Sequence, residues 1–185
     1  PAFVPYTIGQ STDGGKVGYI LQVGDIGYDA LYQKGLIIGI TALESVSGYG
    51  GAKWDFGTDV LIGTTSPNMG EGNNNTTKII ASSGITGESY AARLCSDYSN
   101  AGLTDWFLPS KNELNKILIS GAVLGLTGNF WSSTENGQYG AYALGVGLSN
   151  NSDSKSNYNA VRTVRTFSYL IPVAIPPIIP ITDRH

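Results

Sequence analysis

The stretch DWFLPSKNEL (105–114), continued by NFWSSTE (129–135) and NYNAVRTVRTF (157–167), decides how the chain is read. Bulky apolar residues fix both ends of the region from Asp105 to Phe167. NGQYG (136–140) and SNNSDSKSNYN (149–159) fill the middle with small polar groups. Such a composition suits a stiff frame carrying a recognition surface on loops. It does not resemble an arrangement of catalytic acids and bases.

Ser110 opens a capping box. Its hydroxyl can accept from the amide of Glu113, whose carboxylate can reach back to the amide of Ser110. Leu114, Ile117 and Leu118 then form the inward stripe of a short helix. Phe130 and Trp131 begin a strand. Tyr142, Leu144, Val146 and Leu148 alternate with Ala141, Ala143, Gly145 and Gly147, which reads as a second strand. Residues 150–159 read as a turn-rich loop, and Ala160 to Phe167 as a returning strand with Arg162 and Arg165 on opposite faces.

Working outward, Val17 to Val23 alternates as a strand, and GLIIGITAL (35–43) is a buried one. Residues 44–78 show little periodicity, with Trp54 and Phe56 as core anchors in a long loop region. A weak helix is expected over 77–81 and a stronger one over 87–100, where Tyr90, Ala91, Leu94 and Tyr98 recur at helical spacing. Cys95 beside that stripe reads as a small buried hydrophobe. Residues 1–13 read as an extended lead-in, 14–167 as one domain, and 168–185 as an apolar tail. SYLIPVAIPPIIPI (168–181) holds four prolines, so it cannot be helical throughout, and an assembly contact is expected there.

The 185 residues can bury roughly 70% of their extended surface, so folding needs neither a metal nor a disulfide. Charged residues make up 14% and the net charge is −3, which argues against a nucleic-acid partner. The 25 glycines and 11 tyrosines, with many Asn, Ser and Thr, favour strands, turns and adaptable contact surfaces. No apolar run is long enough to span a bilayer, because proline interrupts the longest. His185 is the only histidine and Cys95 the only cysteine, so no histidine-based triad and no Cys/His metal cluster is expected in the body of the chain.

GGKVGYI (14–20), AARLCSDY (91–98), DWFLPSKNEL, WSSTE (131–135) and AVRTVR (160–165) occur in an order that resembles the Lcl C-terminal domain family. That family is found at the ends of bacterial collagen-like surface proteins and in phage proteins. The resemblance covers about residues 14–167. It implies an α+β, C-type lectin-like fold of the formylglycine-generating-enzyme branch, with two helices packed on a small twisted antiparallel sheet and long irregular loops. It also implies adhesion or receptor binding, often to glycans and frequently as a trimer on a stalk. The enzyme branch uses a pair of cysteines, so its chemistry does not carry over to a chain with Cys95 alone.

Asp105, Trp106, Ser110, Glu113, Trp131, Glu135, Arg162 and Arg165 are the expected framework. One arginine is expected to pair with Asp105, Glu113 or Glu135, and the other to be free for an anionic ligand. The expected ligand surface is Gln138, Tyr139, Tyr142, Asn150, Asn151, Asp153, Lys155, Asn157 and Tyr158, because sugars ask for planar donors and acceptors beside an aromatic face. No loop has the ligand spacing of a calcium site, and neither metal nor cofactor is expected. The reading is therefore a non-enzymatic recognition domain, extracellular, on a cell surface or on a virion. It would bind a cell-surface glycan or protein as a homo-oligomer. The alternative is a structural module of a particle, fibre or filament whose tail makes subunit contacts.

Overall fold

Trp106, Phe107 and Leu108 are consecutive, and each enters a different apolar cluster. Extended backbone throws successive side chains to alternate sides, which lets so short a segment serve several cores. In the computed structural model, which describes residues 4–45, 48–56, 60–83, 89–147 and 150–172, the same segment stitches two sheets together. The amide of Phe107 donates to the carbonyl of Val164 (2.8 Å), and the amide of Val164 donates back (2.9 Å). The amide of Ser133 donates to the carbonyl of Pro109 (2.7 Å).

The strands in chain order are β1 (Ser11–Thr12), β2 (Gly15–Ile20), β3 (Tyr32–Gly39), β4 (Asn129–Glu135), β5 (Gly140–Gly145), β6 (Asn150–Ser154) and β7 (Val164–Leu170). One antiparallel sheet has the order β1-β2-β3-β7 and a second the order β4-β5-β6. The helices are α1 (Gly72–Ser83), α2 (Ala91–Asp97), α3 (Lys111–Ile119) and the single turn α4 (Gly121–Leu124). The expected fold class, two helices on one small C-type lectin-like sheet, is therefore corrected: the described residues form an α+β fold with two sheets and four helices.

Phe130 and Trp131 explain how two sheets share one interior. Being adjacent on β4, they point oppositely. Phe130 joins Leu36, Ile38, Leu114 and Ile117 under α3. Trp131 joins Trp54, Ile79, Cys95 and Val161 under α1 and α2. The third cluster gathers Val17, Ile37, Trp106 and Phe167 on the other face of the four-stranded sheet. Gly35 is required where β3 passes β2 and β7: a Cβ there would collide with the carbonyl of Tyr19 and the ring of Phe167.

The capping box of α3 forms as its sequence predicts. The carboxylate of Glu113 accepts from the amide of Ser110 (2.7 Å), and the hydroxyl of Ser110 accepts from the amide of Glu113 (3.3 Å). Other boundaries move. The helix expected over 77–81 is the second half of the twelve-residue α1. The one expected over 87–100 spans only Ala91–Asp97 within the described residues. The loop expected over 150–159 contains β6, and the strand expected from Ala160 begins at Val164. The lead-in is not separate: β1 pairs with β2, and the Tyr6 hydroxyl donates to that of Tyr169 (2.9 Å). Ser168 to Leu170 belong to β7 rather than to a tail, and residues 173–185 lie outside the described residues.

Candidate functional site

The polar tract after Glu135 folds as a hairpin and a strand. β5 pairs with β4 on one side and with β6 on the other. Ala141 and Ala143 turn inward, so β5 lies close against Trp131 and its neighbours. β6 is an edge strand of sequence NNSDS, and a polar edge resists pairing with other chains. From it the chain turns at Lys155, whose amide donates to the carbonyl of Tyr139 (2.9 Å). That bond joins the β4–β5 turn to the turn after β6.

Lys155 requires a correction. The sequence places it among the ligand-binding residues, but its side chain is fully buried. Its ammonium donates to Glu135 Oε1 (2.6 Å) and to the carbonyl of Val60 (2.9 Å), with Asp55 Oδ2 at 3.9 Å and the Trp54 ring centre at 4.8 Å. A long charged side chain drawn inside must be paired, because an isolated buried charge is heavily penalised. Glu135 also accepts from the amides of Ile62 (3.0 Å) and Gly63 (2.7 Å). One ion pair thus pins two loops, the β3–α1 connection and the turn after β6, to the end of β4. Asp55 and Glu135 both approach the Lys155 ammonium, at 3.9 and 2.6 Å, with side chains 2% and 3% exposed.

Asp153 acts within its own loop. Its carboxylate accepts from the side-chain amides of Asn157 (2.7 Å) and Asn159 (2.8 Å) and from the backbone amide of Ser154 (2.8 Å). Partial burial pushes its pKa up, but the donors from Asn159, Asn157 and Ser154 outweigh this and leave it below the ordinary value. Tyr142 is half-buried against α3, with the Lys111 ammonium 3.9 Å from its ring centre. It is a packing residue as much as a surface one.

Of the remaining expected contact residues, Gln138, Tyr139, Asn151 and Asn157 are exposed and Tyr158 is half-buried. The side chain of Asn150 lies outside the described residues. Tyr158 is not alone. Its ring centre lies 4.9 Å from that of Tyr49, and the Lys53 ammonium is 5.8 Å from it. Tyr49 is 72% exposed. Beside the pair is a recess lined by Ser45, Lys53, Asp55, Phe56, Ser89, Tyr90 and Tyr158, with room of about 10 Å³, about one water. Sequence reasoning misses Tyr49 and Lys53. Their signal is GYGGAKWDF (48–56), a glycine-flanked tyrosine in a turn-rich stretch, where the larger Trp54 and Phe56 dominate.

The two framework arginines part company. Arg165 makes a bidentate pair with Asp105, Nε to Oδ1 at 2.8 Å and Nη2 to Oδ2 at 2.9 Å. Arg165 beside it holds the Asp105 carboxyl below its usual range. Arg162 precedes β7 and is half-buried; its Nη1 donates to the carbonyl of Gly39 (3.0 Å). It does not stand free on a strand face for an anion, because the chain at 161–163 is held by the bonds of Leu43 to Val161 and of Gly39 to Thr163. Trp106 and Trp131 are buried, their indole N–H groups donating to the carbonyls of Leu103 (3.1 Å) and Ala52 (2.8 Å).

No helix among the described residues is long and apolar enough to cross a membrane. Among the same residues no group of three or more His, Cys, Asp or Glu is placed to hold a metal ion. No family model matches the chain, and no curated protein matches it.

Proposed function

We propose that the chain is a non-enzymatic recognition domain of the Lcl C-terminal type, carried on a cell surface or a virion. Its ligand is a cell-surface glycan, met by the loop face around Tyr139, Asn151, Asn157 and Tyr158, extended by Tyr49 and Lys53. The observation that carries this reading is the Tyr49–Tyr158 pair with Lys53 beside it. Two phenol rings offer flat apolar area to the C–H faces of a sugar, while neighbouring amides and the ammonium address its hydroxyls. The loop beneath is fixed before any ligand arrives, by Lys155 on Glu135 and by Asp153 on Asn157 and Asn159. A surface already ordered loses less entropy on binding.

The test is a glycan array probed with the whole chain, then Tyr49→Ala and Tyr158→Ala against any sugar that binds. The expected loss is at least about tenfold in affinity, on the scale of an aromatic interface anchor. If the chain labels intact cells but no glycan above background, and the labelling survives both substitutions, neither the glycan nor this face is right.

A further inference from the structure

Against the middle of β3 and β7 lies a cleft of about 320 Å³. Leu21, Ile26, Leu36, Met69 and Phe167 wall it, and Lys34 and Glu113 line part of it. The β2–β3 loop, which lines part of it, and the end of β7 carry exposed apolar side chains. Val23, Ile26, Leu31 and Leu170 are each more than half exposed, at 83%, 66%, 56% and 59%. Scattered single hydrophobes need no explanation, but a group gathered beside an apolar cleft marks a surface that another segment covers.

We propose that this cleft receives the proline-rich segment 173–180 of a second copy of the chain. The amide of Ile171 donates to the carbonyl of Leu31 (2.8 Å), so the backbone leaves the sheet at the apolar group itself. Immediately beyond Pro172 comes VAIPPIIP (173–180), apolar throughout, with three further prolines. Proline lacks the donor needed to extend a strand edge, so such a segment binds through side chains in a groove. The cleft offers that kind of contact.

The direction of β7 favours a second copy over the segment's own domain. Thr166, Phe167 and Ser168 line the cleft, and the chain then runs on to Pro172. At about 3.3 Å per residue, that carries it roughly 13 Å beyond Ser168. To return, it would have to reverse within a few residues, against the extended bias of Pro176-Pro177. A segment arriving from another copy needs no reversal. Each copy then offers one cleft and one arm, which two copies satisfy by exchanging arms and several by passing each arm to the next. This contact uses neither Tyr49 nor Tyr158, so it stands or falls apart from the glycan reading.

Two single-cysteine variants of the whole chain, Ile26→Cys and Ile178→Cys, are mixed and oxidised. Any disulfide between positions 26 and 178 must then join two copies. Cys95 is buried and does not compete. The expected yield exceeds that of an exposed control, Ala122→Cys mixed with Ile178→Cys, by on the order of tenfold or more, because docking raises the effective concentration. Ile26→Asp, at an exposed position, should reduce the sedimenting mass to that of a monomer with an unchanged circular dichroism spectrum. Any of four results overturns the proposal: a monomeric unsubstituted chain, an oligomer that survives Ile26→Asp, no cross-link above the control, or a cleft found filled by a small apolar compound with no cross-link.

Discussion

The two sheets dispose of charge in opposite ways, and their surfaces differ accordingly. On β4-β5-β6 the ammonium of Lys155 is taken inside, against Glu135 at 2.6 Å. What remains outside is mostly amide, hydroxyl and phenol, with the Lys53 ammonium beside Tyr158. On β1-β2-β3-β7 the ion pairs are more open: Lys34 with Asp29 at 3.4 Å, about one-third exposed on each side, and Lys116 of α3, about one-third exposed, with Asp25 at 2.9 Å. There the loop between β2 and β3 leaves Val23, Ile26 and Leu31 uncovered. A buried charge constrains many atoms around it, whereas an exposed pair constrains few. One end of the molecule should therefore be a stiff polar face and the other an adaptable apolar one.

The largest expected effect breaks this contrast most directly. Lys155→Met leaves Glu135 and Asp55 buried beside a thioether, and the expected cost is about 3–5 kcal/mol of unfolding free energy. Lys34→Met removes a pair about one-third exposed on each side and should shift the unfolding midpoint far less than Lys155→Met. Urea unfolding of both variants decides the matter. Adding Glu135→Gln to Lys155→Met should restore part of the loss, since the penalty comes from stranded carboxylate rather than from the missing lysine. Equal effects at Lys155 and Lys34 would show that the small sheet is no stiffer than the large one.

The one-sheet expectation came with the resemblance, and particular residues show why their own pattern did not overrule it. The α3 box and the DWFLPS hub were legible because Ser110, Glu113, Leu114 and Ile117 act locally, and because large apolar side chains announce burial. The inward face of α1 was not legible. It is Gly72, Asn75, Thr76 and Ile79, correctly spaced for a helix but half polar. Asn75 is buried because it bonds Ser66 and Ser133, and Thr76 because it accepts from the amide of Leu108. Those partners are remote in sequence. β6 failed for a related reason: NNSDS has no apolar alternation, since it is an edge strand held by its backbone to β5. Lys155 failed because nothing in SDSKS says that Glu135 and Asp55 wait for it.

The smallest effect tests the stiffness of the polar face at a partly buried carboxylate. Asp153 holds the loop by accepting from Asn159, Asn157 and Ser154, and its folded pKa lies below the ordinary 3.8. A carboxylate depressed by folding contributes stability that is complete above the unfolded pKa. That contribution is lost as pH falls through the folded value. Carbon-detected NMR titration should therefore place the Asp153 midpoint below 3.8, with the side-chain amide signals of Asn157 and Asn159 moving at the same pH. Asn159→Ala should bring the midpoint back toward 3.8, because it removes the foremost of the lowering donors. A midpoint at or above the ordinary value would mean that partial burial outweighs the amides. The charged anchoring of the loop beneath Tyr158 would then fall to Lys155, and the contrast between the two sheets would reduce to a single buried ion pair.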